Sequence, residues 1–177
     1  TYTPHFPPVA HVDARVTPFF SLLHSLRVLT DLIEGATSSI DIMTPHWKSW
    51  ISTRCDVEYG EGCSADELRN QESFPIWAAV LNANARGVRV RVLTNECFYT
   101  VAQGKLSTYG FLALAGVRVR QFASVSFLHA KMIAVDGKVV SVSSINFSES
   151  SFSSNREAGL LLEGSQKLLE FFDNVFS

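Results

Sequence analysis

Apolar residues first recur at helical spacing in Leu22, Leu23, Leu26, Leu29, Leu32 and Ile33, and Gly35 follows where a left-handed cap would close the turn. This pattern predicts a helix over residues 20–34. Ser39-Ile40-Asp41-Ile42-Met43 then alternates polar and apolar as a half-buried strand does, and Pro45 stops it. Ser73 and Pro75 open a second helix through Ile76, Trp77, Val80 and Leu81 to Gly87, and Val88–Leu93 is the next strand. A helix over residues 105–115 ends at Gly116 and gives way to an alternating strand, Val117-Arg118-Val119-Arg120. Two apolar runs, Phe127–Val135 and Lys138–Val142, flank Asp136-Gly137, a strong hairpin signal, so they are expected to pair antiparallel. Glu157–Leu162 reads as a further strand and Ser165–Phe176 as a closing amphipathic helix, with no internal repeat.

The succession of strand, helix and strand predicts an α/β fold with a mixed β-sheet flanked by helices on both faces. Pro4, Pro7, Pro8 and Pro18 exclude a regular helix at the start, so residues 1–18 are expected to form an extended arm and residues 19–177 one domain. Residues 44–72 are polar, hold Cys55 and Cys63 and lack periodicity, which marks an insertion loop too long for a plain connector.

Composition narrows the classes. With 46% apolar and 18% charged residues in 177, the chain is an ordinary globular domain, able to bury a core without a disulfide or metal staple. Disorder, collagen and coiled coil are excluded. The net charge of −2 offers no large non-specific attraction to nucleic acid or acidic membrane, so any phosphate binding must be local. No apolar run approaches the ~20 residues of a transmembrane helix. Thr1-Tyr2-Thr3-Pro4 carries neither an initiator Met nor a signal pattern, so the chain reads as processed or cut from something longer. A Cys55–Cys63 disulfide would suit a secreted or lumenal protein and reduced thiols a cytoplasmic one; Cys97 is left over in either case. No Cys/His cluster has zinc-ligand spacing, and no metal or other cofactor is expected.

His129 and Lys131, two apart in an apolar run, are expected on one strand face about 7 Å apart. An ammonium beside an imidazole gains nothing in a core, because each cation disfavours the other's charge. Either the pair faces solvent at a sheet edge, or an anion lies between them. Ser143-Ser144-Ile145-Asn146 at the end of the paired strand supplies hydroxyl and amide donors, and Asn155-Arg156-Glu157 adds an amide, a guanidinium and a carboxylate. Together these residues make a phosphate cradle.

The series His129-x-Lys131-x4-Asp136, then x6-Ser143-Ser144-x-Asn146 and Asn155-Arg156-Glu157-Ala158-Gly159, resembles the HxK(x)4D(x)6GSxN signature of the phospholipase D superfamily with its trailing glutamate. Ala36–Ile42 and Ala85–Val90 resemble it too, so the likeness covers most of residues 20–175; Ser143 stands where the family usually has Gly. The resemblance implies a phospholipase D-like sandwich and a phosphodiesterase. His129 would be the nucleophile of a phosphohistidine intermediate, Lys131 and Asn146 would steady the phosphoryl oxygens, and Ser144, Ser143 and Asn155 would bind substrate. Glu157 would accept the proton on the other imidazole nitrogen. Strand parity sends Asp136 to the face opposite His129, so with Gly137 it is expected to be structural.

Family members combine two such motifs in one active site, whereas this chain has one. The resemblance therefore implies a partner motif from a homodimer mate or from a missing second half. His46-Trp47-Lys48 repeats the spacing but has Thr53 and no Ser/Asn tail, and is read as coincidence. The substrate is a phospholipid headgroup ester or, as in single-motif nucleases, DNA or RNA. The third possibility is a non-catalytic phosphate-binding half-domain. Arg89, Arg91, Arg118 and Arg120 form either a phosphate-tracking stripe or a solvated strand face, and Trp47, Trp50 and Ile51 either touch substrate or pack in the core.

Overall fold

The computed structural model describes residues 13–21, 24–45, 47, 75–95, 112–113, 115–122, 127–164 and 166–176. Within them lie seven strands: β1 (Arg15–Phe20), β2 (Ser39–Met43), β3 (Arg89–Asn95), β4 (Arg118–Phe122), β5 (Met132–Val135), β6 (Val139–Ser143) and β7 (Ala158–Glu163). They form one sheet in the order β1-β7-β6-β5-β2-β3-β4. β2, β3 and β4 run parallel, and every other pairing is antiparallel. Four helices are described: α1 (His24–Glu34), α2 (Pro75–Ala85), α3 (Glu149–Ser153) and α4 (Gln166–Phe176).

Alternation along the strands divides the side chains between two faces. Ile40, Ile42, Val90, Val92, Ile133 and Val135 are buried in one core with Leu29 and Ile33 of α1 and Ile76, Trp77 and Val80 of α2. α2 has no polar face to offer, which suits a helix packed on several sides. Asp41 and Arg91 point the other way, where Arg91 bonds Asp173 of α4 at 3.3 Å and lies over the Phe176 ring at 5.4 Å. Helices therefore cover both faces of a mixed sheet, as the rhythm of the sequence implies.

The boundaries differ in three places. The expected arm ends before Arg15, because residues 15–18 are already in β1; Pro18 is accommodated there since an edge strand needs no donor on its outer side. Phe20 closes that strand instead of opening α1, while Phe19 is fully buried beside Gly159, where any Cβ would strike its ring. α3 is not signalled by the sequence at all. The insertion loop beyond Trp47, the three cysteines, Trp50, Ile51, His46 and most of the helix expected at 105–115 lie outside the described residues. Among the described residues no helix is long and apolar enough to cross a membrane.

Candidate active site

Asp136 and Gly137 form the turn between β5 and β6 with φ of 55° and 59°, the left-handed pair a type I′ hairpin requires. From this turn the Asp136 carboxylate reaches the start of β2. Oδ2 accepts from Thr37 N at 2.9 Å and Oγ1 at 2.7 Å. Oδ1 accepts from Ser38 N at 2.7 Å, Ser38 Oγ at 2.9 Å and Ser39 N at 2.9 Å. Burial pushes this carboxyl up, but the donors outweigh burial and hold it well below the usual carboxylate range. Asp136 sits at the end of β5 far from His129, fastening hairpin to β2.

At the other end β2 stops at Met43, opposite Met132. Residues 127–131 thus run past the last backbone partner β2 can offer, which is why the strand expected from Phe127 begins only at Met132 and leaves His129 and Lys131 just ahead of it. Asn95 at the end of β3 takes over the ladder's work. Its Nδ2 donates to Leu128 O at 2.8 Å and Pro45 O at 3.0 Å, and its Oδ1 accepts from Leu128 N at 2.8 Å. On the other flank Ser143 N donates to Lys131 O at 3.1 Å. Asn95 is the residue the sequence reading missed; an amide closing an apolar strand, itself buried, is the signal that was there.

His129, Lys131, Ser143, Ser144 and Asn146 line one cavity of about 360 Å³. His129 is exposed, whereas Lys131 is only 8% exposed. The Lys131 ammonium donates to the backbone O of His129 at 2.7 Å, its only hydrogen bond among the described residues. Burial lowers its pKa, and the Glu157 carboxylate partly offsets this. Asn146 Oδ1 is buried and accepts no hydrogen bond among the described residues. The Ser143 hydroxyl accepts from Ile145 N at 3.2 Å and so caps its own turn.

Glu157 does not bond His129, contrary to the expectation from sequence. Both its oxygens are engaged closer by, Oε2 by Ser144 Oγ at 2.5 Å and Oε1 by Asn155 Nδ2 at 3.1 Å. Ser21, just past β1, holds this corner: its Oγ accepts from Glu157 N at 2.8 Å and donates to Asn155 O at 2.7 Å. Trp47 is a core residue, 4% exposed and edge-on to Trp77 and Phe147.

Residues 29–177 match the family model described as cardiolipin synthase, PLD-like domain. A mitochondrial cardiolipin hydrolase of Canis lupus familiaris is 36% identical over 140 residues, covering 70% of this chain and 54% of that protein. Its counterpart in Homo sapiens is 31% identical over 152 residues, covering 84% and 58%. The chain thus spans about half the length of the curated relatives it matches. Nuc from Salmonella typhimurium, a phospholipase D family member, shares the fold with a TM-score of 0.67 at 21% identity, over 92% of this chain and 91% of that one. Matched along most of its length by that family model, with the histidine and lysine of the motif in one cavity, the chain belongs to the phospholipase D-like family.

Proposed function

We propose that the chain is a phosphodiesterase that works through a phosphohistidine, with a phospholipid headgroup ester as substrate. The observation that carries this reading is Lys131, a nearly buried ammonium with two of its three donors free of hydrogen bonds to described residues, lining the same cavity as His129 and Asn146. A phosphate diester supplies the anion this arrangement lacks. The cardiolipin hydrolase relatives support a lipid substrate.

A ring nitrogen of His129 attacks phosphorus, forming a P–N bond as the P–O bond to the leaving group breaks; water then displaces the histidine. Lys131 and Asn146 steady the phosphoryl oxygens, and Glu157 acts through Ser144 and Asn155, which it orders, and through its field on Lys131. The leaving alkoxide needs a proton, and a positioned acid contributes about 10²- to 10⁴-fold. His129 is the one histidine among the described residues lining the cavity. A second copy of the chain supplies the other. Val16, Phe20, Val142 and Leu160, 37–59% exposed, share one sheet face by register, and Val142 also lines the His129 cavity. Such an apolar face running into an incomplete site suits an isologous dimer.

Parallel assays on phosphatidylcholine, cardiolipin and single-stranded DNA test the reading, each with and without chelator. Lipid turnover that survives chelator is expected. Rapid DNA cleavage without lipid turnover makes the chain a nuclease, and phosphate binding without turnover makes it a binding module. For the dimer, an equal mixture of active chain and His129→Asn chain, refolded together, should retain about a quarter of full activity, since only pairs with two histidines work. Retention of one half refutes the shared site, as does a fully active monomer by mass; an inactive monomer rescued by another motif-bearing chain points to a split protein.

Asn95 acts through Leu128 as a positioning residue. Asn95→Ala should lower kcat by about 10-fold or more with KM little changed, because it loosens the nucleophile and not the cradle. A parallel rise in KM with kcat intact would contradict this.

A further inference from the structure

Alternation puts Arg89, Arg91 and Leu93 of β3 and Arg118, Arg120 and Phe122 of β4 on one sheet face, and the register sets Arg91 opposite Arg118 and Leu93 opposite Arg120. Like charges on neighbouring strands repel. The β3 pair is neutralised: Asp41 grips Arg91 at 2.6 and 2.8 Å and lies 3.9 Å from Arg89, and Asp173 adds a contact to Arg91 at 3.3 Å. Arg118 and Arg120 have no acidic partner among the described residues.

Solvation alone does not account for this face, because it also opens a cavity of about 500 Å³ walled by Met43, Leu93, Phe122, Leu128 and Phe176. Leu128 precedes His129, so this cavity and the catalytic pocket meet at one segment. Apolar walls with a few charged groups to set orientation, in a volume of roughly 300–1,000 Å³, characterise ligand sites. The matching ligand has a hydrocarbon body and an anionic head. Two guanidinium groups suit a phosphate, which each can grip through paired donors. A nucleic-acid strand fits less well, since its affinity grows with the number of phosphates neutralised and only two cations on this face are free among the described residues.

The geometry points to a docking site for an acidic phospholipid, bound through a phosphate other than the one facing His129, with an acyl chain against Met43, Leu93 and Leu128. This rests on the phospholipid reading above, to which it adds a second lipid site of stated charge class.

Cosedimentation with phosphatidylcholine vesicles, with and without phosphatidylglycerol, tests it on the chain carrying His129→Asn, so that turnover does not intervene. Adding Arg118→Gln and Arg120→Gln together should weaken binding to the phosphatidylglycerol vesicles by about 10-fold or more and leave binding to pure phosphatidylcholine unchanged. Phe122→Ser, which removes an exposed wall, should weaken it by several-fold. Arg27→Gln and Lys138→Gln together, an equal loss of two charges at exposed positions on α1 and in the β5–β6 turn, should change it by less than about 2-fold. Unchanged binding by the Arg118→Gln and Arg120→Gln variant overturns the proposal, and so does an equal loss with the Arg27→Gln and Lys138→Gln variant, which would mean general charge attraction. Loss of single-stranded DNA binding with vesicle binding intact overturns it in favour of a nucleic-acid track. Turnover of bis(p-nitrophenyl) phosphate by the unaltered chain reports separately on the phosphodiesterase reading, so the two can fail independently.

Discussion

Replacing His129 with Asn should reduce turnover by about 10⁴-fold or more, because the proposed mechanism then loses its attacking atom and no step can substitute for it. The fold should be indifferent to the change. His129 is exposed, and the contact described for its ring is Phe127, 6.0 Å away between centroids. Loss of activity at an unchanged melting temperature is therefore the expected pair of results. Quench of the unaltered chain in alkaline denaturant after reaction with a phosphorus-labelled phosphodiester should trap label on protein that acid then releases, and His129→Asn should trap none. Activity that survives the substitution, or label that stays on the variant, would sink the assignment of the nucleophile.

Asp136→Ala should have the largest effect on stability, about 3 kcal/mol, because five donors at the head of β2 lose a charged acceptor at once. For a chain of 177 residues that corresponds to a fall in melting temperature of about 6–12 °C. The sign of its pH dependence follows from the carboxyl being held below its ordinary value. Its contribution is fully present above the unfolded carboxylate pKa of about 4 and is lost as the pH falls below that. The gap in melting temperature between parent and variant should be wide at neutral pH and close in acid. A gap that persists undiminished in acid would show that the loss is one of packing and not of the charge.

The hairpin was legible in Asp136-Gly137 because turn chemistry is local, and the paired strands followed from it. What Asp136 grips was not, since Thr37–Ser39 lie 97 to 99 residues away and polar residues at a strand entry carry no sign of their partner. The same holds for Ser21 and Asn95. Parity placed His129 and Lys131 together, yet it presumed a regular strand where the sheet offers no neighbour on the β2 side, so Lys131 folds back on the His129 carbonyl. α3 has no signal in the sequence because Glu149-Ser150-Ser151-Phe152-Ser153 reads as a loop; burial of Phe152 in the hydrophobic core, a tertiary effect, fixes it as helix. The Glu157 contact was misjudged for a related reason: a side chain bonds its nearest donors first, and spacing in sequence does not reveal which those are.

Ser21 secures the Asn155–Glu157 corner across 134 to 136 residues of sequence. During synthesis the ribosome releases β1 long before β7, at about 5–20 residues per second. The edge strand therefore waits, unpaired, until nearly the whole domain has emerged. A nascent chain that already holds His129 and Lys131 still lacks the corner that orders Ser144, so the proposed phosphate cradle is completed only with the last strand. If the chain works as proposed, catalytic competence arrives late and all at once, and a chain stalled before Glu157 should be inert toward a phosphodiester.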